Sequence, residues 1–144
     1  MRVDFYQFSR DPAEKVVPLL ARNTMNAGEK LLVVSGDAAQ LDRIGQALWE
    51  PHESFLAHGR AGQPHEARQP ILLSDCAEPT NGARFLALAD GVWREADGRF
   101  ERTFLLFGKA TLEAARDCWR RLGQREGLER HFWKQEGGRW IEAG

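Results

Sequence analysis

Apolar residues follow two rhythms along this chain. Val3–Phe8 (VDFYQF), Leu31–Val34 (LLVV), Ile71–Leu73, Arg84–Ala89 and Phe104–Phe107 (FLLF) are short alternating or continuous apolar runs bounded by turn residues, as strands are. Leu31–Val34, apolar throughout, has the pattern of a strand buried on both faces of a parallel sheet. Between these runs the apolar positions recur every three to four residues. Val16, Val17, Leu19, Leu20 and Met25 form one such set, Leu41, Ile44 and Leu48 a second, and Ala115, Cys118 and Leu122 a third. Each predicts a helix with one buried stripe.

The boundaries carry their own signals. Asp11 and Pro12 predict an N-cap and a first helical residue, Gly28 a stop, and Pro18 a kink or a late start. Ser35-Gly36-Asp37 makes a turn and the cap of a helix over Ala38–Trp49. Pro51–Gln69 is polar and rich in Gly, Pro and His, and is expected to be a long exposed connection, of a length usually tied to function. Glu78-Pro79-Thr80-Asn81-Gly82 is a loop between strands, and Asp97-Gly98 precedes the fifth strand. The last helix is expected from Thr111, as its cap, to about Leu122 or Gln124. His131–Trp133 and Arg139–Ile141 flank Gly137-Gly138 and predict an edge strand or a loose tail. The expected architecture is α/β in three layers: a largely parallel central sheet of about five strands flanked by helices, as a single domain over 1–144.

Composition narrows the classes of function. A chain of 144 residues buries roughly 68–70% of its unfolded surface, so neither metal nor disulfide is needed for folding. No apolar run approaches the roughly 20 residues of a membrane span, and MRVDFYQFSRD lacks a signal-peptide core, so a cytoplasmic location with no membrane partner is expected. Cys76 and Cys118 are then reduced, structural thiols. A net charge of −1 argues against a dedicated duplex-DNA binder. Locally, Arg116, Arg120, Arg121, Arg125, Arg130 and Lys134 face Glu113, Asp117, Glu126 and Glu129, which makes a cationic patch rather than a track for a polyphosphate.

The most informative stretch is Ala115–Trp133 (ARDCWRRLGQREGLERHFW). Arg116, Trp119 and Arg120 stand at i, i+3 and i+4 and share one helix face, while Ala115, Cys118 and Leu122 fall on another. Guanidinium groups grip carboxylates through paired hydrogen bonds and an indole supplies an apolar wall, so the face suits an acidic peptide end with an apolar side chain. The competing reading is a solvated amphipathic helix whose Trp is half core.

The sequence carries no catalytic or cofactor signature. The first strand runs into Ser9-Arg10-Asp11-Pro12, not a glycine-rich phosphate loop. His52, His58, His65 and His131 lack zinc-ligand spacing, and Ser54 and Ser74 lack a nucleophile elbow. Asp75, Glu78 and Asp90 follow strands but suit turns and caps. No cofactor, no metal and no catalytic role for this chain are expected. Two rivals to peptide binding stay open: a small nucleotide- or ligand-binding α/β enzyme with a degenerate site, and single-strand DNA binding through Trp119, Trp133 and the arginines.

Two segments, Ala47–Gly59 (ALWEPHESFLAHG) and Phe100–Arg121 (FERTFLLFGKATLEAARDCWRR), resemble the chi subunit of bacterial DNA polymerase III, an accessory subunit of the clamp loader. The resemblance rests on Leu48-Trp49, Ser54-Phe55, His58, Phe100-Glu101-Arg102, Ala115-Arg116 and Trp119-Arg120, taken in order, and on the order of strands and helices. The chain departs from the pattern at Gly45, where an acidic residue is usual, at Phe85–Asp90 and at Trp93–Gly98. It departs also at Leu112, which replaces a basic residue of some members and implies a weaker cationic pocket. The resemblance implies a non-catalytic bridge within a DNA-directed DNA polymerase holoenzyme, binding the psi subunit and the acidic, Phe-ended C-terminal tail of single-stranded-DNA-binding protein. It assigns Arg116 to the terminal carboxylate or a nearby Asp, Trp119 to the terminal Phe, Arg120 as a second cation, and Trp49 and Phe55 to the psi interface. It implies no sequence-specific contact with nucleic acid.

Overall fold

The predicted strands and helices all form, and three further strands join them, in a computed structural model that describes residues 1–9, 12–50, 56–95, 99–136 and 139–143. In chain order these are β1 (Arg2–Gln7), α1 (Ala13–Asn26), β2 (Leu31–Val34), α2 (Ala38–Trp49), β3 (His58–Arg60), β4 (Ile71–Ser74), β5 (Phe85–Leu88), β6 (Arg102–Phe107), α3 (Leu112–Leu122), β7 (Glu129–Glu136) and β8 (Arg139–Glu142). They build one eight-stranded sheet in the order β3-β4-β2-β5-β6-β1-β7-β8. Every pairing is parallel except β7 with β8.

The expected five-strand sheet is therefore too narrow, for a physical reason at each edge. The Pro51–Gln69 connection contains β3, which pairs with β4, and a 3-10 turn at Glu66–Arg68. Its residues His58-Gly59-Arg60 are all half-buried and show no apolar alternation. At the other edge, His131–Trp133 is the middle of β7, a full parallel neighbour of β1, and Arg139–Ile141 lies in its antiparallel partner β8. Both carry charged residues along half-covered faces, so hydropathy understates them.

Strand alternation divides the core in two. Val3, Phe5, Leu32, Val34, Leu72, Leu86, Leu88, Leu105 and Phe107 face α3, which contributes Ala115, Cys118 and Leu122. Tyr6, Leu31, Val33, Ile71, Leu73, Ala87, Phe104 and Leu106 face α1 and α2. Each of the four β2 side chains is fully buried, as expected for an all-apolar run, and each such burial stabilises the fold by about 1.5–3 kcal/mol.

The helix ends follow their signals with small shifts. Asp37 caps α2, its carboxylate accepting the Ala39 N–H at 3.0 Å. Pro12, expected as the first helical residue, takes the extended cap position (φ −70°, ψ 168°), so α1 starts one residue later than expected and runs through Pro18 from Ala13 to Asn26. Asp11, expected as that cap, lies outside the described residues, as do Asp97-Gly98 and Gly137-Gly138. Thr111 occupies the cap position of α3 without capping it; its hydroxyl accepts from the Gly108 N–H at 3.2 Å, inside a 3-10 turn.

One charge is built into the sheet. The Asp4 carboxylate is fully buried and accepts from Arg102 Nε at 2.7 Å, Arg2 Nη2 at 3.0 Å and Trp133 Nε1 at 3.0 Å. Burial by itself would push this carboxyl up. The donors Arg102, Arg2 and Trp133 together outweigh it and hold the group below the ordinary carboxylate range. The bonds join β1 to both of its neighbours, β6 and β7.

Candidate binding site on the last helix

The chain leaves β6, forms α3 and returns as β7, and β1 lies between those two strands. Helix α3 therefore packs over β1. The Trp119 ring meets Phe5 edge-on with centroids 5.1 Å apart, and Phe132 of β7 edge-on at 5.7 Å. From β7, the Arg130 guanidinium lies 4.1 Å from the Trp119 ring centroid and donates to the Trp119 carbonyl at 2.7 Å. Gly123 makes that approach possible, since a Cβ there would come within 2.8 Å of Arg130 Nη1. The indole is thus half-buried and fixed from three sides.

Beside it opens a cavity of about 360 Å³. Its helix side is Arg116, Trp119 and Arg120; its strand side is Gln7, Phe132 and Lys134; Ala143, just past β8, completes it. Arg116 pairs with Glu113 at 3.3 Å and Arg120 pairs with Asp117, each three residues back along the helix. Both arginines remain more than half exposed. The arrangement is an apolar aromatic floor with cations around it, open to an acidic ligand carrying an apolar side chain.

The structure thus brings Arg116, Trp119 and Arg120 to one cavity, and Ala115, Cys118 and Leu122 to the core. Both readings of the helix hold in part: Trp119 packs on the core by one side and lines the cavity by the other. Leu112 packs against the same core cluster as α3 and does not line the cavity. Burial pushes the Cys118 thiol up to about 11, in keeping with a structural thiol.

Gln7 and Phe132 are not visible in the sequence as site residues, and Lys134 only as a member of the cationic patch, because all three come near the helix only through sheet register. β1 and β7 pair Phe5 with Phe132 and Gln7 with Lys134. A hydrophobic signal for β7 as a strand would have been the one clue.

Trp49, at the end of α2, is 63% exposed, with its ring 6.0 Å from the His58 ring and edge-on to it. It belongs to the α1/α2 face of the sheet, opposite α3. Phe55, expected beside it, lies outside the described residues, as do Ser54 and His52. The Trp93–Gly98 departure has a definite packing role as far as it is described. Trp93 joins the core cluster beneath α3 and donates to Glu95 at 2.9 Å, and Glu95 pairs with Arg125 beyond the end of α3.

The rival readings meet specific obstacles. In parallel α/β sheets ligands enter beyond the carboxyl ends of the strands. Here Asp90, after β5, accepts the Gly36 N–H at 2.9 Å and the Val92 N–H at 3.1 Å, and takes two bonds from Arg94 at 2.9 and 2.8 Å. Gln40 reaches across to the Ala89 carbonyl at 3.0 Å. These bonds tie the carboxyl ends of β2 and β5 together, and Asp90 is a turn residue as expected. Glu78 is drawn into an exposed pair with Arg99 at 2.8 Å. For single-strand DNA, Trp119 and Trp133 would have to form one platform. They lie on opposite faces of the sheet, Trp119 against Phe5 and Trp133 stacked on Tyr6.

Among the described residues no helix is long and apolar enough to cross a membrane. No curated protein matches the chain. A family model described as DNA polymerase III chi subunit, HolC, matches residues 1–140, nearly the whole sequence. This chain belongs to the DNA polymerase III chi subunit family, and it is on that ground an accessory subunit of DNA replication.

Proposed function

We propose that this protein is a non-catalytic bridge of the replication machinery, holding the acidic C-terminal tail of single-stranded-DNA-binding protein in the α3 cavity and the psi subunit at the far face. The observation that carries the reading is the aromatic floor of Trp119 and Phe132 beneath Arg116 and Arg120. A terminal Phe settles on that floor, and its carboxylate and the neighbouring acids meet the guanidinium groups. Trp49 and Phe55 provide the aromatic anchors for psi, through which the clamp loader is attached; aromatic residues are enriched in such interface centres. With both partners bound to one rigid domain, avidity exceeds either affinity by roughly 10²–10⁴-fold.

Calorimetric titration tests the reading. An acidic Phe-ended peptide should bind, while ATP and a single-stranded oligonucleotide should not. Binding of ATP in place of the peptide would move the protein to the small-ligand class; binding of the oligonucleotide alone would make it a single-strand binder.

A further inference from the structure

His131 of β7 has a carboxylate at each ring nitrogen. Its Nδ1 pairs with Glu142 of β8, and its Nε2 lies 3.0 Å from Glu129, two residues back on β7. An ionised carboxylate only accepts, so each nitrogen must carry a proton to face its glutamate favourably. The neutral ring carries one proton and turns a lone pair toward one of the two carboxylates. The arrangement therefore belongs to the imidazolium form. β1, on the other side of β7, adds Arg2, which opposes the charge, and Asp4, which favours it and stands opposite His131 in the parallel register. Glu142 and Glu129 outweigh Arg2 and the partial burial of the ring, and hold it above its ordinary value of 6.5.

What this group holds is the outermost strand. β8 is four residues long, stands at the edge of the sheet and pairs with β7 alone. Trp140 anchors its beginning, edge-on to Tyr6 with centroids 5.0 Å apart. At its far end Glu142 reaches His131, and the next N–H, of Ala143, donates to the Phe132 carbonyl at 2.7 Å. Ala143 also completes the wall of the cavity beside α3. We propose that His131 is a pH-sensitive latch for β8: protonated, it ties the end of the strand to β7 and keeps Ala143 in the cavity wall; deprotonated, it lets that end lift away. A histidine held above its unfolded value stabilises the closed strand fully below about pH 6.5. The contribution is lost as pH rises through the higher folded value. Carboxylic acids titrate well below that window, so the histidine is the member that changes charge. The latch depends on no particular ligand.

The test is hydrogen exchange of the β8 amides in the full chain, by millisecond labelling and mass spectrometry between about pH 6 and pH 9. Rates are corrected for the intrinsic pH dependence of exchange, and the His131 ring is titrated in parallel by NMR. Protection of the segment ending at Ala143 should fall about two- to fivefold as the ring loses its proton, the scale of an exposed ion pair. His131→Gln keeps a polar side chain that cannot titrate, and it should flatten the profile near the parent's high-pH level. Glu142→Gln should flatten it too, and the ring should then titrate closer to an ordinary histidine. A flat profile in the parent overturns the proposal. So does a His131→Gln profile with the same pH dependence as the parent's, or a Glu142→Gln variant that leaves both the profile and the ring titration unchanged.

Discussion

Arg130 and Trp119 are held to each other twice, by a guanidinium 4.1 Å from the indole centroid and by a 2.7 Å donation from the same side chain to the Trp119 carbonyl. The second bond adds to the one that the Trp119 carbonyl, in the last turn of α3, already accepts from the Gly123 N–H at 3.1 Å. A residue in β7 thereby sets the orientation of the helix residue that floors the cavity.

Arg130→Met keeps an aliphatic stem of similar length and removes both bonds. It should lower the free energy of unfolding by about 1–3 kcal/mol, the combined scale of a cation–π contact and a charged hydrogen bond. Peptide affinity should fall as well, though Arg130 does not line the cavity. Urea unfolding and peptide titration of the same variant check the pair of effects. Loss of stability with affinity intact would mean that Trp119 keeps its orientation without Arg130.

Arg116→Ala should weaken the Phe-ended peptide by about 1.5–3 kcal/mol while leaving thermal unfolding nearly unchanged, because the side chain is mostly exposed. The Glu113 pairing adds a second, opposite expectation. Glu113→Gln frees Arg116 from its internal partner and should tighten binding, by up to about twofold on the scale of a helix ion pair. Titration at two salt concentrations should show the Arg116 share shrinking with salt and the Trp119 share persisting.

Trp49→Ala should abolish or strongly weaken psi capture, by at least ~2 kcal/mol if the residue is a central anchor. Tail-peptide binding should be unaffected, since Trp49 lies on the α1/α2 face and the cavity on the α3 face. A pull-down with psi and a peptide titration separate the two. Retained psi capture together with lost peptide binding would reverse the assignment of the faces.

Asp4 predicts an acid-labile step. A carboxyl held below its unfolded value stabilises the fold at every pH above that value, about 3.9, and the contribution disappears as pH falls through the lower folded value. Asp4→Asn should remove this acid-dependent part and cost roughly 3–5 kcal/mol near neutrality, because Arg2 and Arg102 lose the charge they both face. Unfolding free energies of the parent and the variant between pH 2 and pH 7 give the comparison; parallel curves would show that Asp4 is not the titrating group.

Much of the interior was legible in the sequence because burial and periodicity are local properties. Leu31–Val34 and Ala38–Trp49 form over the expected residues, and Ala115, Cys118 and Leu122 are buried as their spacing predicts. The edges were not legible. A strand such as β3 or β8 is held by pairing with a neighbour whose position the local sequence does not contain, and its half-covered residues give hydropathy little to report.

The binding site divides along the same line. Helical spacing alone put Arg116, Trp119 and Arg120 on one face, and ordered motifs alone pointed to the family. Only the fold decided that Phe132 joins Trp119 as a floor, that Lys134 faces the arginines, and that Trp133, adjacent in sequence to both, goes to the opposite side of the sheet. The helix face follows from a period of 3.6 residues within one segment. The facing wall depends on a parallel register between strands more than a hundred residues apart in the chain, and that is a tertiary choice.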